Sequence, residues 1–156
     1  MRSILIFNLF LISLGNAYSQ NYNIEAYTFH QSIVEAQQNI GKEVFEFNER
    51  ASDLNLKILK FELNKSILFI DSLKVYNNET AYFNASKKLF GLYKELSENE
   101  YPQLLKLIED PDLEYKDFKV KKQKIFDSMK IKMAAVYPAF NVAQEQFCKK
   151  YGIKLE

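Results

Sequence analysis

The sequence contains one cysteine, one histidine, no tryptophan, four glycines and three prolines. A single cysteine excludes an internal disulfide and a cysteine-based metal cluster, and no motif for covalently attached haem is present. A fold rich in β-strands needs more glycine and proline for its turns than this chain offers. Lysine, glutamate and leucine are frequent instead, so the composition favours helices.

The first residues predict export. After a short positively charged start, residues 4–14 form an apolar run, and small residues follow. This is the pattern of a secretory signal peptide, with cleavage after Ser19 or, as the alternative, after Ala17. The apolar run is much shorter than the ~20 residues that cross a bilayer. We therefore predict a signal peptide over 1–19 and a periplasmic, cell-surface or secreted domain over 20–156.

Charge is balanced in the predicted domain. The chain has 21 basic and 20 acidic residues, and Arg2 belongs to the predicted signal peptide, which leaves 20 of each sign. A neutral domain creates no field that steers nucleic acid or anionic lipid. No later segment is long and apolar enough for a transmembrane helix. We therefore expect neither nucleic acid as a partner nor a membrane span.

Apolar residues recur in steps of three and four along four segments. These segments cover residues 26–47, 56–73, 82–108 and 118–147, with polar residues between the apolar positions. The spacing places the apolar side chains on one face of a helix and predicts four core-facing helices. Ser52 supplies a cap for the second helix. A long coiled-coil dimer is the structural alternative, which we disfavour because each stripe is wider than a two-in-seven seam.

Three prolines predict breaks or bends. Pro102 lies inside the third segment and predicts a kink or a fresh helix start near residues 99–101. Asp110 followed by Pro111 has the form of an N-cap and a first helical position, and predicts the start of the last helix. Pro138 predicts a bend in that helix. Because short connections make consecutive helices antiparallel, the prediction is an all-α, up-down-up-down four-helix bundle, kinked near Pro102 and Pro138.

No group of residues carries a recognisable chemistry. A di-iron site in a bundle needs two histidines, and His30 is the only one. A haem held between His30 and either Met129 or Met133 is conceivable for an antiparallel helix pair, although methionine at core spacing is ordinarily a packing residue. No serine or cysteine motif surrounds the histidine. We therefore predict a protein that is not an enzyme and has no catalytic, cofactor-binding or metal-binding residues.

The carboxylates and the thiol also fit structural roles. Glu35, Glu43 and Asp71 fall where solvent-exposed helix faces are expected. The acidic segment 109–114 lacks the ligand spacing of a calcium loop. Cys148 is interpreted as a small buried side chain, with a reactive thiol or an intermolecular disulfide as the alternative.

A group of phenylalanines lies off the principal stripes. If these rings were exposed together, they would form an apolar patch or groove for a partner. A broad bundle core would bury them equally well, and this is the interpretation that the sequence favours. The residues concerned are Phe45, Phe61, Phe69, Phe83 and Phe90.

Two parts of the sequence carry a resemblance to a known family. The segment 144–153 (QEQFCKKYGI), and the segment 85–94 (ASKKLFGLYK) followed by residues 98–101 (ENEY), resemble a family of uncharacterised bacterial surface proteins first labelled in leptospires. The resemblance implies an envelope or surface location. It implies no known activity and supplies no site residues.

These observations together predict an exported, non-enzymatic helical bundle that binds a macromolecular partner, a protein or another envelope component, in the envelope or at the cell surface. The alternative is a carrier that holds an apolar ligand or haem between its helices. The carrier requires a cavity lined by Phe29, Ile33, Met129, Met133 and Phe140.

Overall fold

The computed structural model describes residues 23–155, so the predicted signal peptide over 1–19 lies outside the described residues. Five α-helices and one short 3₁₀ turn follow one another, and no strand occurs in 23–155. The elements are α1 (Ile24–Glu49), α2 (Asp53–Ser72), the 3₁₀ turn (Tyr76–Asn78), α3 (Thr80–Glu98), α4 (Glu100–Glu109) and α5 (Tyr115–Tyr151).

The third helix of the bundle consists of α3 and α4, which are separated at Asn99. Asn99 has φ −118° and ψ −68°, and Pro102 has no N–H with which to continue the helical ladder. At this break the carbonyl of Glu95 accepts the regular helical hydrogen bond from the backbone N–H of Asn99 at 3.0 Å and a second hydrogen bond from the Asn99 side-chain amide at 2.9 Å. The break predicted near residues 99–101 is therefore confirmed.

The predicted start of the last helix is wrong. Residues 111–112 form a turn, and α5 begins only at Tyr115. The Asp110 carboxylate accepts a hydrogen bond from the backbone N–H of Asp112 at 3.1 Å. An aspartate before proline can stabilise a turn by bonding the backbone two residues further on, and this local bond prevails here over the helix cap.

The last helix is much longer than its neighbours. At ~1.5 Å per residue, α5 extends about 55 Å, against about 39 Å for α1. Pro138 lies in its interior, with helical residues on both sides. Because proline has no N–H, the carbonyl of Ala134 loses its usual helical partner, which is the physical reason for the predicted bend.

Consecutive helices of the bundle run in alternating directions. Helix α1 packs beside α2, α2 beside α3, and α5 against both α3 and α4. The start of α1 lies with the start of α3 and the end of α5, because His30 contacts Tyr82 and Cys148. At the opposite end, the ring of Phe47 packs on Tyr101 with centroids 5.0 Å apart. The all-α four-helix bundle predicted from the sequence is confirmed.

The core is formed by the predicted apolar stripes. The largest fully buried apolar side chains include Ile33, Ile40, Phe47, Leu59, Leu63, Ile70, Tyr82, Leu89, Phe90 and Leu96.

The predicted cap of the second helix is also confirmed, because Ser52 Oγ accepts a hydrogen bond from the backbone N–H of Asn55 at 3.1 Å. Within the described part of the chain, no helix combines the length and apolarity needed to cross a bilayer.

Candidate partner-binding face

A buried polar cluster joins α1, α3 and α5 at one end of the bundle. His30 Nδ1 and the Tyr82 hydroxyl oxygen are 3.0 Å apart. Cys148 Sγ lies 3.8 Å from each of the two ring nitrogens of His30. All three side chains are buried. Sequence periodicity cannot reveal this contact, since it identifies the face of each helix but not the residue across from it.

This cluster is not arranged as a nucleophile and its base. Burial lowers the pKa of His30 to about 4 and raises the pKa of the Cys148 thiol to about 12. Both groups are therefore uncharged near neutral pH. The equal distances place the sulfur beside the ring and not in line with the lone pair of either nitrogen. Proton transfer from the thiol to the imidazole would require such alignment. The interpretation of Cys148 as a buried packing residue is confirmed.

The structure does not bring His30 together with a methionine. His30 lies beside Cys148, and Met133 and Met129 precede that residue on α5 by about 22 Å and 28 Å of helix. The two ligands of one haem iron lie only a few ångströms apart, so this pair cannot flank an iron. Phe140 and Met129 are likewise separated by about 16 Å along α5. The side chains named for a ligand cavity therefore do not share one level of the bundle.

A second polar cluster ties the break between α3 and α4 to α5. Oε1 of the buried Glu100 accepts hydrogen bonds from Ser128 Oγ at 2.9 Å and from Lys132 Nζ at 2.7 Å. Lys132 also lies 2.6 Å from Glu95, and its hydrogen bonds to Glu100 and Glu95 raise its pKa. Lys132 is therefore held as a cation, which suits it to anchor the helix break and not to act as a base.

The other carboxylates do not form a site. Glu35 and Asp71 are exposed, as predicted, whereas Glu43 is half-buried. Asp71 forms an ion pair with Lys87 at 2.6 Å. Within the described residues, no three histidine, cysteine, aspartate or glutamate side chains are grouped so that they could hold a metal ion.

The outer face of α2 is apolar and exposed. We use this name for Leu54, Ile58, Phe61, Lys65, Leu68 and Phe69. The apolar members expose between 40% (Ile58) and 70% (Leu68) of their surface. Elsewhere, α5 also exposes Tyr115, Val120, Ile131 and Val142, but none of these lies within four residues of another. Among residues 23–155, only α2 carries such side chains turn after turn.

The outer face of α2 has the spacing of a coiled-coil seam. Leu54, Phe61 and Leu68 are seven residues apart, and Ile58 and Lys65 lie between them at the alternating steps of four and three. This is a strict two-in-seven stripe, narrower than the stripe that packs into a globular core. At ~100° per residue it lies directly opposite the buried residues of α2, which are Leu56, Leu59, Leu63, Ser66 and Ile70.

Polar contacts border this face on both sides. Towards α1, the Asn55 side-chain amide donates a hydrogen bond to the carbonyl of Arg50 at 2.7 Å. Towards α3, Asp71 pairs with Lys87, as described above. Within the face, Lys65 Nζ lies 3.2 Å from a carboxylate oxygen of Glu62. The apolar row is thus framed by polar groups, as the central patch of a protein interface is.

The sequence-based expectation for the off-stripe phenylalanines is wrong for three of the five. Phe45, Phe61 and Phe69 are exposed, because the core stripes of α1 and α2 already fill the space between the helices. Phe90 is buried, and Phe83 packs partly buried against the core, as expected. Their exposure turns the patch from the less favoured interpretation into an observed feature of α2.

Comparisons of the chain with protein-family models, with curated proteins and with solved structures gave no match. The resemblance to the leptospiral surface-protein family therefore stays a prediction. The candidate site is defined by its geometry alone.

Proposed function

We propose that this protein is an exported, non-enzymatic helical bundle that binds a macromolecular partner of the envelope or cell surface through the outer face of α2. The observation that carries the proposal is the row of five exposed apolar side chains on one helix face. The surface location comes from the signal-peptide pattern and the family resemblance. The occupant is a partner that presents an apolar helix.

The size of the face supports a binding role. With about 180 Å² for each complete side chain, the exposed apolar surface on α2 is about 500 Å². The largest apolar patch on a typical monomer is roughly 300–600 Å² and is often functional. Leaving such a patch in water is unfavourable, so a bound state that covers it is favoured by the hydrophobic effect.

The spacing of the face indicates the shape of the partner. Side chains at steps of four and three residues fit between those of another helix, as in helix pairs and helix-in-groove complexes. Lys65 in the middle of the row disfavours any partner that places a cation or a purely apolar side chain opposite it. The partner therefore carries an acidic or aromatic side chain at that level.

The two polar clusters support a non-enzymatic role. His30 and Cys148 are uncharged and enclosed by packed rings, and Lys132 is held as a cation by two carboxylates. None of these groups is both accessible and poised to exchange a proton near neutral pH.

Site-specific photo-crosslinking in the cell that exports the protein tests the proposal. A photoreactive amino acid replaces Phe61 on the outer face of α2 or, as the matched control, Ile131, an exposed apolar residue of α5. We expect adducts of discrete mass from position 61 and only a faint background from position 131. Equal yields at the two positions would show that the face does not bind a partner.

A further inference from the structure

We infer that the occupant of the outer face of α2 is a second copy of this chain, with the two α2 helices antiparallel and related by a two-fold axis near residue 63. This inference rests on the proposed binding role of the face and adds the identity of its partner. The spacing of the seam, the charges beside it and the area of the face support a symmetric pair.

The two-in-seven stripe of Leu54, Ile58, Phe61, Lys65 and Leu68, called the seam here, fits its own copy in the antiparallel orientation. In an antiparallel pair, core positions of the two types face each other across the interface. With the axis near residue 63, Ile58 faces the partner's Leu68, and Leu54 faces the partner's Ser72. Phe61 faces the partner's Lys65, so the ammonium group of each copy lies over a ring of the other, a favourable cation–π arrangement. Each apolar side chain of the seam thereby acquires a neighbour.

The parallel orientation is disfavoured by a single residue. In a parallel, in-register pair, identical positions face each other, and Lys65 would then meet the partner's Lys65 in the middle of the seam. Two like charges enclosed between apolar turns repel one another more strongly than they would in water. Lys65 is exposed in the single chain, where it forms an ion pair with Glu62.

The charges beside the seam are complementary in the antiparallel pair. One flank of α2 carries Lys57 near its start and Asp71 near its end, with Asn64 halfway. Antiparallel pairing places Lys57 opposite the partner's Asp71, twice by symmetry, and Asn64 opposite its own copy. Within one chain, Lys57 pairs with Asp53 at 3.0 Å, and Asp71 pairs with Lys87. Lys57 and Asp53 are largely exposed and Asp71 and Lys87 are about half exposed, so Lys57 and Asp71 each retain room for a second partner.

The other flank is also compatible with the two-fold axis. Glu62 approaches the partner's Glu62 there, but each carboxylate lies beside Lys65 of its own chain at 3.2 Å. Two glutamates and two lysines alternate around the axis, so each carboxylate is screened by ammonium groups. Phe69 and the partner's Asn55 close this flank at either end.

The available area is that of a reversible dimer. About 500 Å² of apolar surface on each copy gives about 1,000 Å² for the pair, the lower end of specific protein interfaces. We therefore expect a concentration-dependent equilibrium, dimeric at about 200 µM and largely monomeric at about 1 µM.

Analytical ultracentrifugation of the exported protein over this concentration range tests the inference. Phe61→Glu is expected to shift the dimer–monomer midpoint at least about tenfold towards higher concentration, because it places a carboxylate in the seam. Ile131→Glu, the same change at an exposed residue of α5, is expected to leave the midpoint unchanged. Helical circular dichroism of both variants should match that of the parent, since both side chains are mostly exposed.

Disulfide formation tests the orientation. In the antiparallel pair, Asn64→Cys lies beside its own copy and is expected to form an intermolecular disulfide under mild oxidation. Leu54→Cys lies about 27 Å along the helix from its copy and is expected not to. A disulfide from Leu54→Cys and none from Asn64→Cys would overturn the antiparallel arrangement. The native Cys148 is buried and does not compete.

The remaining outcomes separate this inference from the proposed function. A dimer that survives Phe61→Glu unchanged would overturn the inference. A protein that stays monomeric at about 200 µM would also overturn it, although discrete adducts from the photoreactive residue at position 61 would still support a different partner. A monomer that floats with vesicles of phosphatidylethanolamine and phosphatidylglycerol, and loses this binding on Phe61→Glu, would assign the face to a lipid surface.

Discussion

The two faces of α2 are built from the same kinds of residue and have opposite surroundings. Leu59 and Leu63 are almost completely buried, whereas Leu54 and Leu68 on the same helix expose 65% and 70% of their surface. Residue type therefore does not decide which side of this helix enters the core. The decisive difference is that the buried stripe meets the other helices of the bundle, while the outer stripe has the narrower spacing suited to one further helix.

The largest expected difference between the faces is in folding stability. Leu63→Ala on the core face should lower the free energy of unfolding by about 2–5 kcal/mol, since it removes buried carbon and leaves a cavity. Leu68→Ala on the outer face should change it by less than about 0.5 kcal/mol. Urea unfolding of both variants at about 1 µM, where the chain is expected to be monomeric, measures the two values. Equal losses would mean that the outer face is buried in the monomer.

The second prediction concerns His30, a titratable group that is buried in the core. The pKa of His30 is about 4 in the folded protein, against 6.5 in the unfolded chain. Above pH 6.5 the imidazole is neutral in both states. As pH falls from 6.5 towards 4, the unfolded chain binds a proton that the folded protein excludes, so the free energy of unfolding should fall, in total by about 3 kcal/mol.

Two measurements check this pH dependence. Because His30 is the only histidine, its ring proton signals in NMR should titrate only as pH approaches 4. Between pH 6.5 and pH 4, the free energy of unfolding of His30→Phe should fall less than that of the parent, because the variant has no imidazole to titrate. A ring that titrates near pH 6.5 in the folded protein would show that this end of the bundle admits water.

The third prediction concerns the start of α2, where both faces begin. Ser52→Ala should cost about 1 kcal/mol, because it removes the hydroxyl that accepts a hydrogen bond from the Asn55 N–H. Ser72→Ala at the other end of the helix removes only a bond from an exposed hydroxyl to the carbonyl of Phe69 and should cost less. Thermal unfolding of the two variants ranks them, and the reverse order would show that the cap contributes little.

The last prediction concerns Phe61, whose substitution is expected to affect folding stability least and dimer formation most. Phe61→Glu should change the free energy of unfolding of the monomer by less than about 0.5 kcal/mol. Urea unfolding of dilute protein measures this value. A loss comparable to that of Leu63→Ala would mean that Phe61 supports the fold. The two faces of α2 would then not differ in their contribution to stability.

Much of the fold could be predicted because helices leave a local record in the sequence. The apolar stripes, the Ser52 cap and the break before Pro102 all depend on residues within one or two turns of each other. The start of α5 was predicted wrongly for the same local reason, since Asp110 followed by Pro111 is compatible with both a cap and a turn.

The candidate site was only partly predictable. Phe61 and Phe69 were recognised as lying off the core stripe, but one sequence does not show how much surface the neighbouring helices leave uncovered. The contact between His30 and Cys148 could not be predicted at all, because it depends on how α1 and α5 pack and joins residues that are 118 positions apart in the sequence. Periodicity gives the direction of a side chain and not the identity of its neighbour.

The single thiol gives the protein an intrinsic reporter of local opening. Cys148 lies on α5, and its side chain is buried against α1. A thiol reagent can therefore reach it only in molecules in which the end of α5 has moved away from α1. When closing is faster than labelling, the ratio of the observed labelling rate to that of an unprotected cysteine equals the equilibrium constant of opening. Chemical modification of the unaltered chain can therefore follow how often this end of the bundle opens.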